Sequence, residues 1–326
     1  GSQEQKGVGD VARATQPAER NGVLHALDEL RPALLPDGFR HNVARLDAVD
    51  RDAVAGKFQR GRTDETVDSA LGRRIMAVAR TGHMRPGDPR IAVLTEMSGL
   101  KRLERFYNEI QDLHDLEFTA AVFRNLELEL EVSEEDLAQI PREGGLVFVA
   151  NHPYGAIDGL ALVNVLGRVR PDLKVMANFL LQQLEPLRER FIGVNPFEQL
   201  GSRSSFQGMR QALAHVKEGQ ALAVFPSGEV SSWRTELKAV ADPRWKTPAI
   251  KLIQHADVPV VPVWFDGANS MVFQMLGMIH PNLRTLALPN EMLRMRGRTV
   301  RMRIGKPIPQ KDIAAFTSVE QLTRFL

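Results

Sequence analysis

Leu146-Val147-Phe148-Val149-Ala150 is an unbroken apolar run that follows directly on the pair Gly144-Gly145. It is far shorter than a membrane span, and a turn introduces it, so it reads as a short buried strand. The same signature recurs down the chain. Strands are expected at 173–177, 191–194, 221–225, 258–265 and 300–304. Helices are expected between them at 159–168, 179–190, 205–217 and 246–256, with Gly219 capping the third. Alternating short apolar strands and helices predict an α/β domain built on a central sheet.

The first part of the chain lacks this pattern. Residues 3 to about 70 are polar and Ala-rich. Within the first hundred residues helical spacing shows only at Val23, Leu24, Leu27 and Leu30, and at Leu71, Ile75, Val78 and Ala79. Gly87-Asp88-Pro89 marks a turn, and amphipathic helices follow at 100–113 and 116–126. We therefore expect a helical, partly flexible region over 1–115 and the α/β domain over 116–326.

Composition narrows the function. The chain has no cysteine, which excludes a disulfide scaffold, a thiol nucleophile and a zinc–thiolate site. No stretch reaches the roughly 18 apolar residues of a spanning helix, and no signal peptide is visible. A cytoplasmic chain is expected, with attachment to a membrane surface left open. The formal charge is only +2. Its distribution is uneven, because Arg284, Arg294, Arg296, Arg298, Arg301, Arg303 and Lys306 stand against the single acid Glu291. Such a run suits anionic headgroups, an acidic carrier protein or nucleic acid, and it equally suits a solvated surface.

The candidate chemistry sits at strand ends. Asn151-His152-Pro153-Tyr154-Gly155-Ala156-Ile157-Asp158-Gly159 follows the first strand, and in open α/β sheets ligands bind at the carboxyl ends of strands. Pro153 and Gly155 oppose a helix, so His152 belongs on a turn from which Asp158 can fold back toward it. A carboxylate on one imidazole nitrogen sets the tautomer and leaves the other nitrogen as a base. The spacing is equally compatible with Asp158 capping the next helix and His152 serving the turn.

A second loop, Phe225-Pro226-Ser227-Gly228-Glu229-Val230-Ser231-Ser232, follows the strand at 221–225. It offers hydroxyls, free backbone N–H groups and one carboxylate, a set able to receive a polar headgroup or an oxyanion. Ser227 is not in a G-x-S-x-G elbow, which speaks against a serine hydrolase. The strand at 258–265 contains Pro259 and Pro262, which place it near a sheet edge or a strand end. The polar loop after it, Asp266 to Ser270, brings Asn269 toward the same region.

Together these segments resemble the lysophospholipid (glycerolphosphate) acyltransferase superfamily over roughly residues 116–308. Asn151-His152 with Asp158 resembles its Asn-His-x4-Asp motif, the 225–232 loop its Phe-Pro-Glu-Gly-Thr-Arg-Ser motif, and Val261-Pro262-Val263 its Val-Pro-Val motif. Five residues rather than four separate His152 from Asp158. In this the loop is closer to the hemolysin-like branch that includes ornithine- and glycine-lipid synthases. The resemblance implies a central mixed sheet flanked by helices, with His152 as general base and Asp158 orienting it. Asn151, Ser227, Gly228, Glu229, Ser231 and Asn269 would line the acceptor pocket.

The resemblance further implies an acyl-carrier-protein or coenzyme A thioester as donor and a lipid-type acceptor. It implies no metal and no bound cofactor, and no nucleic-acid partner is expected. A lipid product, the lack of a spanning segment and the basic run at 284–306 lead to the expectation of a peripheral enzyme on the inner face of the cell membrane. Pro196 and Val230 stand where the superfamily has arginines, leaving Arg203 and Arg210 as candidate replacements. Glu229 beside Val230 would repel phosphate and attract an ammonium group, so an amine-bearing, amino-acid-derived acceptor is expected. A lysophospholipid O-acyltransferase is the rival enzyme. A non-catalytic lipid- or partner-binding protein on this scaffold is the rival without chemistry.

Overall fold

In the computed structural model, which describes residues 99–326 apart from 179–180, 182–183, 195–202, 280 and 317, the run at 146–150 is the strand around which the sheet is organised. The helical spacings at 23–30 and 71–79 and the turn at 87–89 lie outside the described residues, as do Asn195 and Pro196.

The first described elements are helices α1 (Leu100–Ile110) and α2 (Asp115–Asn125). Strand β1 (Glu129–Glu131) and helix α3 (Glu134–Ala138) lead to β2 (Leu146–Ala150). Next come α4 (Ala156–Val169), β3 (Lys174–Asn178), a 3-10 helix (Glu185–Arg190), β4 (Phe191–Val194) and α5 (Arg203–Lys217). Then follow β5 (Ala221–Val224), the hairpin of β6 (Ser232–Arg234) and β7 (Ala239–Ala241), α6 (Thr247–Ala256) and β8 (Val260–Phe265). The chain closes with α7 (Met271–Ile279), α8 (Pro281–Arg294), β9 (Thr299–Ile304), α9 (Gln310–Ala314) and α10 (Val319–Phe325).

Among the described residues seven strands form one mixed sheet in the order β1-β9-β8-β2-β5-β3-β4, and β6 and β7 pair separately. The block β8-β2-β5-β3-β4 is parallel, β9 runs antiparallel to β8, and β1 is parallel to β9. Every residue of β2 is buried. Its alternate side chains serve two cores, because side chains on a strand point to opposite faces in turn. Leu146, Phe148 and Ala150 pack with α2 and α4, while Val147 and Val149 pack with α5 and α6.

From β2 the chain crosses to β3 on one side, and from β5 it proceeds to β8 on the other. The reversal falls between the neighbouring strands β2 and β5, and it is outside the carboxyl ends of such strands that open α/β sheets bind ligands. At the opposite end, buried Arg170 ties together the turns feeding these strands. It donates to Asp172 Oδ2 at 2.6 Å, to the Gly144 carbonyl at 2.9 Å and to the Gly219 carbonyl at 3.3 Å.

One expectation changes and a second narrows. The helix foreseen at 179–190 is, where described, the 3-10 turn Glu185–Arg190, with Pro186 near its start. Of the two settings expected for the strand with two prolines, the edge is excluded, since β8 lies between β2 and β9, and the end holds: Pro259 precedes β8 and Pro262 precedes the ladder to β9. Proline is tolerated there because Pro262 uses only its carbonyl toward β9, accepting the Gly305 N–H at 2.8 Å where that ladder ends. Among the described residues no helix is long and apolar enough to cross a membrane.

Candidate active site

Asn151 extends the sheet by one side chain. Its Nδ2 donates to the Phe265 carbonyl at 2.8 Å and its Oδ1 accepts the Phe265 N–H at 2.7 Å, so the carboxamide acts as one more rung between β2 and β8. His152 comes next, and Pro153 biases it toward extended backbone. Gly155 follows with φ 81°, a conformation costly for other residues, and a side chain there would meet Leu288 of α8 at 3.1 Å. The chain turns sharply at Gly155 into α4, which brings Asp158, in the first turn of α4, under His152.

The Nδ1 of His152 lies 3.0 Å from Oδ2 of Asp158. The same oxygen accepts the main-chain N–H groups of Tyr154 at 2.8 Å and Gly155 at 2.9 Å. Asp158 therefore caps the helix and holds the imidazole at once, so the two sequence readings describe one arrangement. Asp158 is fully buried, and burial pushes its carboxyl above the usual carboxylate range, against the opposing pull of His152 and the two amides. The His152 ring stacks on Phe225 with centroids 4.0 Å apart. Its side chain keeps 18% exposure. With Nδ1 facing the carboxylate, Nε2 is the nitrogen left to exchange a proton with a ligand.

The second loop is joined to the first through main chain. Ser231 N–H donates to the His152 carbonyl at 2.8 Å. Asp242, just after β7, accepts the His152 N–H at 3.1 Å through Oδ1, and the same oxygen accepts the Ser231 hydroxyl. Lys246 N–H donates to the Pro226 carbonyl at 2.8 Å. The segment 242–246 thus clamps both loops. Sequence reasoning did not find Asp242, because an aspartate ninety residues from His152 carries no spacing signal.

The remaining candidates have distinct placements. Ser227 is buried and its hydroxyl donates to the Glu229 carbonyl at 2.8 Å, closing its own turn around Gly228, whose φ is 65°. Buried Val230 packs against the Gly155 turn. Asn269 is buried, and neither polar atom of its side chain has a hydrogen-bond partner among the described residues. Arg210 is exposed on α5, which packs on β4, β5 and α6. The side chain of Arg203 lies outside the described residues.

Glu229 is not free to attract an ammonium group. Lys246 Nζ donates to its Oε1 at 2.7 Å, and Arg284 of α8 lies 3.4 Å from its Oε2. Two cations on one carboxylate leave a positive excess, so the charge argument for an amine acceptor is reversed at this point. The basic run 284–306 likewise divides. Arg284 and Arg294 lie on α8, while Arg296 pairs with Glu127 and Arg301 with Glu131.

Residues 100–326 match a family model described as Acyltransferase. Over 212 residues the chain is 34% identical to a lyso-glycine lipid O-acyltransferase of Bacteroides thetaiotaomicron, an alignment covering 63% of this chain and 75% of that protein. A lyso-glycine lipid O-acyltransferase of Phocaeicola vulgatus is 29% identical over 232 residues, covering 69% of this chain and 80% of the relative. Among solved structures, the 1-acyl-sn-glycerophosphate acyltransferase PlsC of Thermotoga maritima aligns with a TM-score of 0.40 at 18% identity, covering 78% of this chain and 83% of that one.

Proposed function

We propose, from the premise that this chain belongs to the acyltransferase family, that it moves a fatty acyl group from a carrier thioester to a hydroxyl of an amino-acid lipid. The observation that carries this reading is the His152–Asp158 pair at the end of β2, with Nδ1 held at 3.0 Å and Nε2 directed away from its orienting carboxylate.

In this mechanism Nε2 takes the proton of the acceptor hydroxyl as its oxygen attacks the thioester carbonyl. The tetrahedral intermediate collapses with loss of the thiolate, and the imidazolium returns its proton to that sulfur. Asp158 holds the tautomer and stabilises the imidazolium. Such a base contributes about 10²–10⁴ in rate. Gly228 and Glu229, with Asn269, are proposed to line the acceptor pocket, and Asn151 and Ser231 to hold its walls in place. Residues 116–326 are proposed as the catalytic domain. The two lyso-glycine lipid O-acyltransferase relatives supply the choice of oxygen over nitrogen and of a glycine lipid as the acceptor type. The positive excess around Glu229 agrees with a carboxylate headgroup.

The test is thioester consumption with acyl-carrier-protein and coenzyme A donors, each offered lyso-glycine lipid, lysophosphatidic acid or an amine-bearing analogue. Ester formation on the glycine lipid is the expected product. Preference for lysophosphatidic acid would replace the acceptor assignment, and no transfer to any acceptor would favour a binding role.

A further inference from the structure

Helix α7 is built inside out. Its sequence, Met-Val-Phe-Gln-Met-Leu-Gly-Met-Ile, has one polar side chain, Gln274, and that residue is buried, with Oε1 accepting the Trp233 N–H of β6 at 2.9 Å. Phe273 is buried beside it. Met271, Val272, Met278 and Ile279 are exposed at 51%, 39%, 52% and 47%, and Met275 is half-buried between them. Positions 271, 272, 275, 278 and 279 fall on one stripe of a helix with 3.6 residues per turn. An amphipathic helix on a soluble surface turns such a stripe toward the core; this one turns it outward. The hairpin anchored to α7 through Gln274 carries a further exposed apolar residue, Leu237, at its tip.

We propose that this face of α7, with the β6–β7 hairpin tip, rests on an anionic lipid surface. Two observations select a bilayer. The first is charge: the hairpin, α7 and α8 together carry Arg234, Lys238, Arg284 and Arg294 against the acids Glu236 and Glu291, a positive excess. Arg234 pairs with Glu236 and Arg294 lies 3.9 Å from Glu291, which leaves Lys238 and Arg284 as the excess on these elements, Arg284 sharing Glu229 with Lys246. An exposed apolar stripe on elements of net positive charge is the pattern of interfacial binding. The second is position. Helix α7 leaves the loop that follows β8, and α8 touches the catalytic turn through Leu288 and Gly155. The stripe therefore lies beside the place where a lipid acceptor must arrive, and in this respect the choice of a bilayer rests on the acceptor proposed above.

The absence of cysteine makes the test direct. Val272→Cys and Glu135→Cys are each labelled with a polarity-sensitive fluorophore. Position 135 is exposed on α3, which Asp136 ties to Ile304 N at 2.9 Å on β9, separated from β2 by β8 and carrying none of the apolar stripe. Phosphatidylcholine vesicles with added phosphatidylglycerol should blue-shift the label at 272 and leave that at 135 unchanged, and salt should weaken the effect. The double variant Val272→Glu/Ile279→Glu should lower vesicle partitioning by about tenfold or more, while transfer to a detergent-dispersed acceptor stays within a few-fold. No shift at 272, or equal shifts at both positions, overturns the proposal. So does a wild-type dimer that the double variant dissociates without loss of vesicle binding, which would make the stripe a contact between copies. The vesicle readout needs no acyl donor, so it can fail or succeed independently of the proposed reaction.

Discussion

One carboxylate oxygen, Oδ2 of Asp158, faces Nδ1 of His152 at 3.0 Å while accepting two main-chain N–H groups of the turn between them. The base, the turn that carries it and the start of α4 share a single acceptor. Replacing His152 should therefore remove the chemistry without dismantling the turn, since Tyr154 and Gly155 still bind Asp158. His152→Ala should lower kcat by about 10²–10⁴, with a thermal midpoint close to that of the wild type. Saturating-substrate turnover checks this, and a loss under tenfold would point to another base.

Asp158→Asn keeps an oxygen for the turn but removes the charge that stabilises the imidazolium. A kcat loss smaller than that of His152→Ala is expected, with KM little changed. Stability adds a signed test. Burial raises the Asp158 carboxyl, so between its ordinary value near pH ~3.9 and its raised value the folded chain binds the proton more tightly than the unfolded one. The carboxyl's stabilising contribution is present below that window and is lost as pH rises through it. Wild type should lose stability relative to Asp158→Asn with rising pH, measured by thermal unfolding of both proteins. A pH-independent difference would mean that the buried carboxyl titrates as it does in the unfolded chain.

Asp242 is a positioning residue, acting on the His152 main chain and the Ser231 hydroxyl. Asp242→Ala leaves a half-buried N–H and hydroxyl short of an acceptor, a cost of about 1–3 kcal/mol each when fully buried. Turnover should fall by about tenfold with KM nearly constant, and Asp242→Asn should recover most of it by restoring an acceptor oxygen. A variant that loses stability but keeps full kcat would make the clamp purely structural.

Arg284 and Lys246 set the charge beside Glu229. Arg284→Met should raise KM about tenfold for an acceptor with a free carboxylate, a difference of about 1.4 kcal/mol. It should change KM little for the methyl ester of the same acceptor. Equal effects on both would place Arg284 outside headgroup recognition.

The sheet was legible because its strands are short apolar runs bounded by turn residues, a local signal that needs no partner. The His152 turn was legible for the same reason: Pro153 and Gly155 act on the backbone next to them. Pro259 and Pro262 allowed a sheet edge or a strand end, and only the structure chose the end, because a missing N–H matters only on the side where a neighbour needs it.

By itself the sequence determined the alternation of strands and helices, the turn at His152 and a chain without thiol chemistry, since each follows from residues adjacent along the backbone. Only the tertiary structure decided that Asp242 grips the His152 loop, that Lys246 and Arg284 converge on Glu229, and that α7 shows its apolar stripe to the outside. Those relationships join residues tens of positions apart. They depend on which helix face packs inward, and a stripe of Met, Val and Ile reads identically whether it faces the core or the surface.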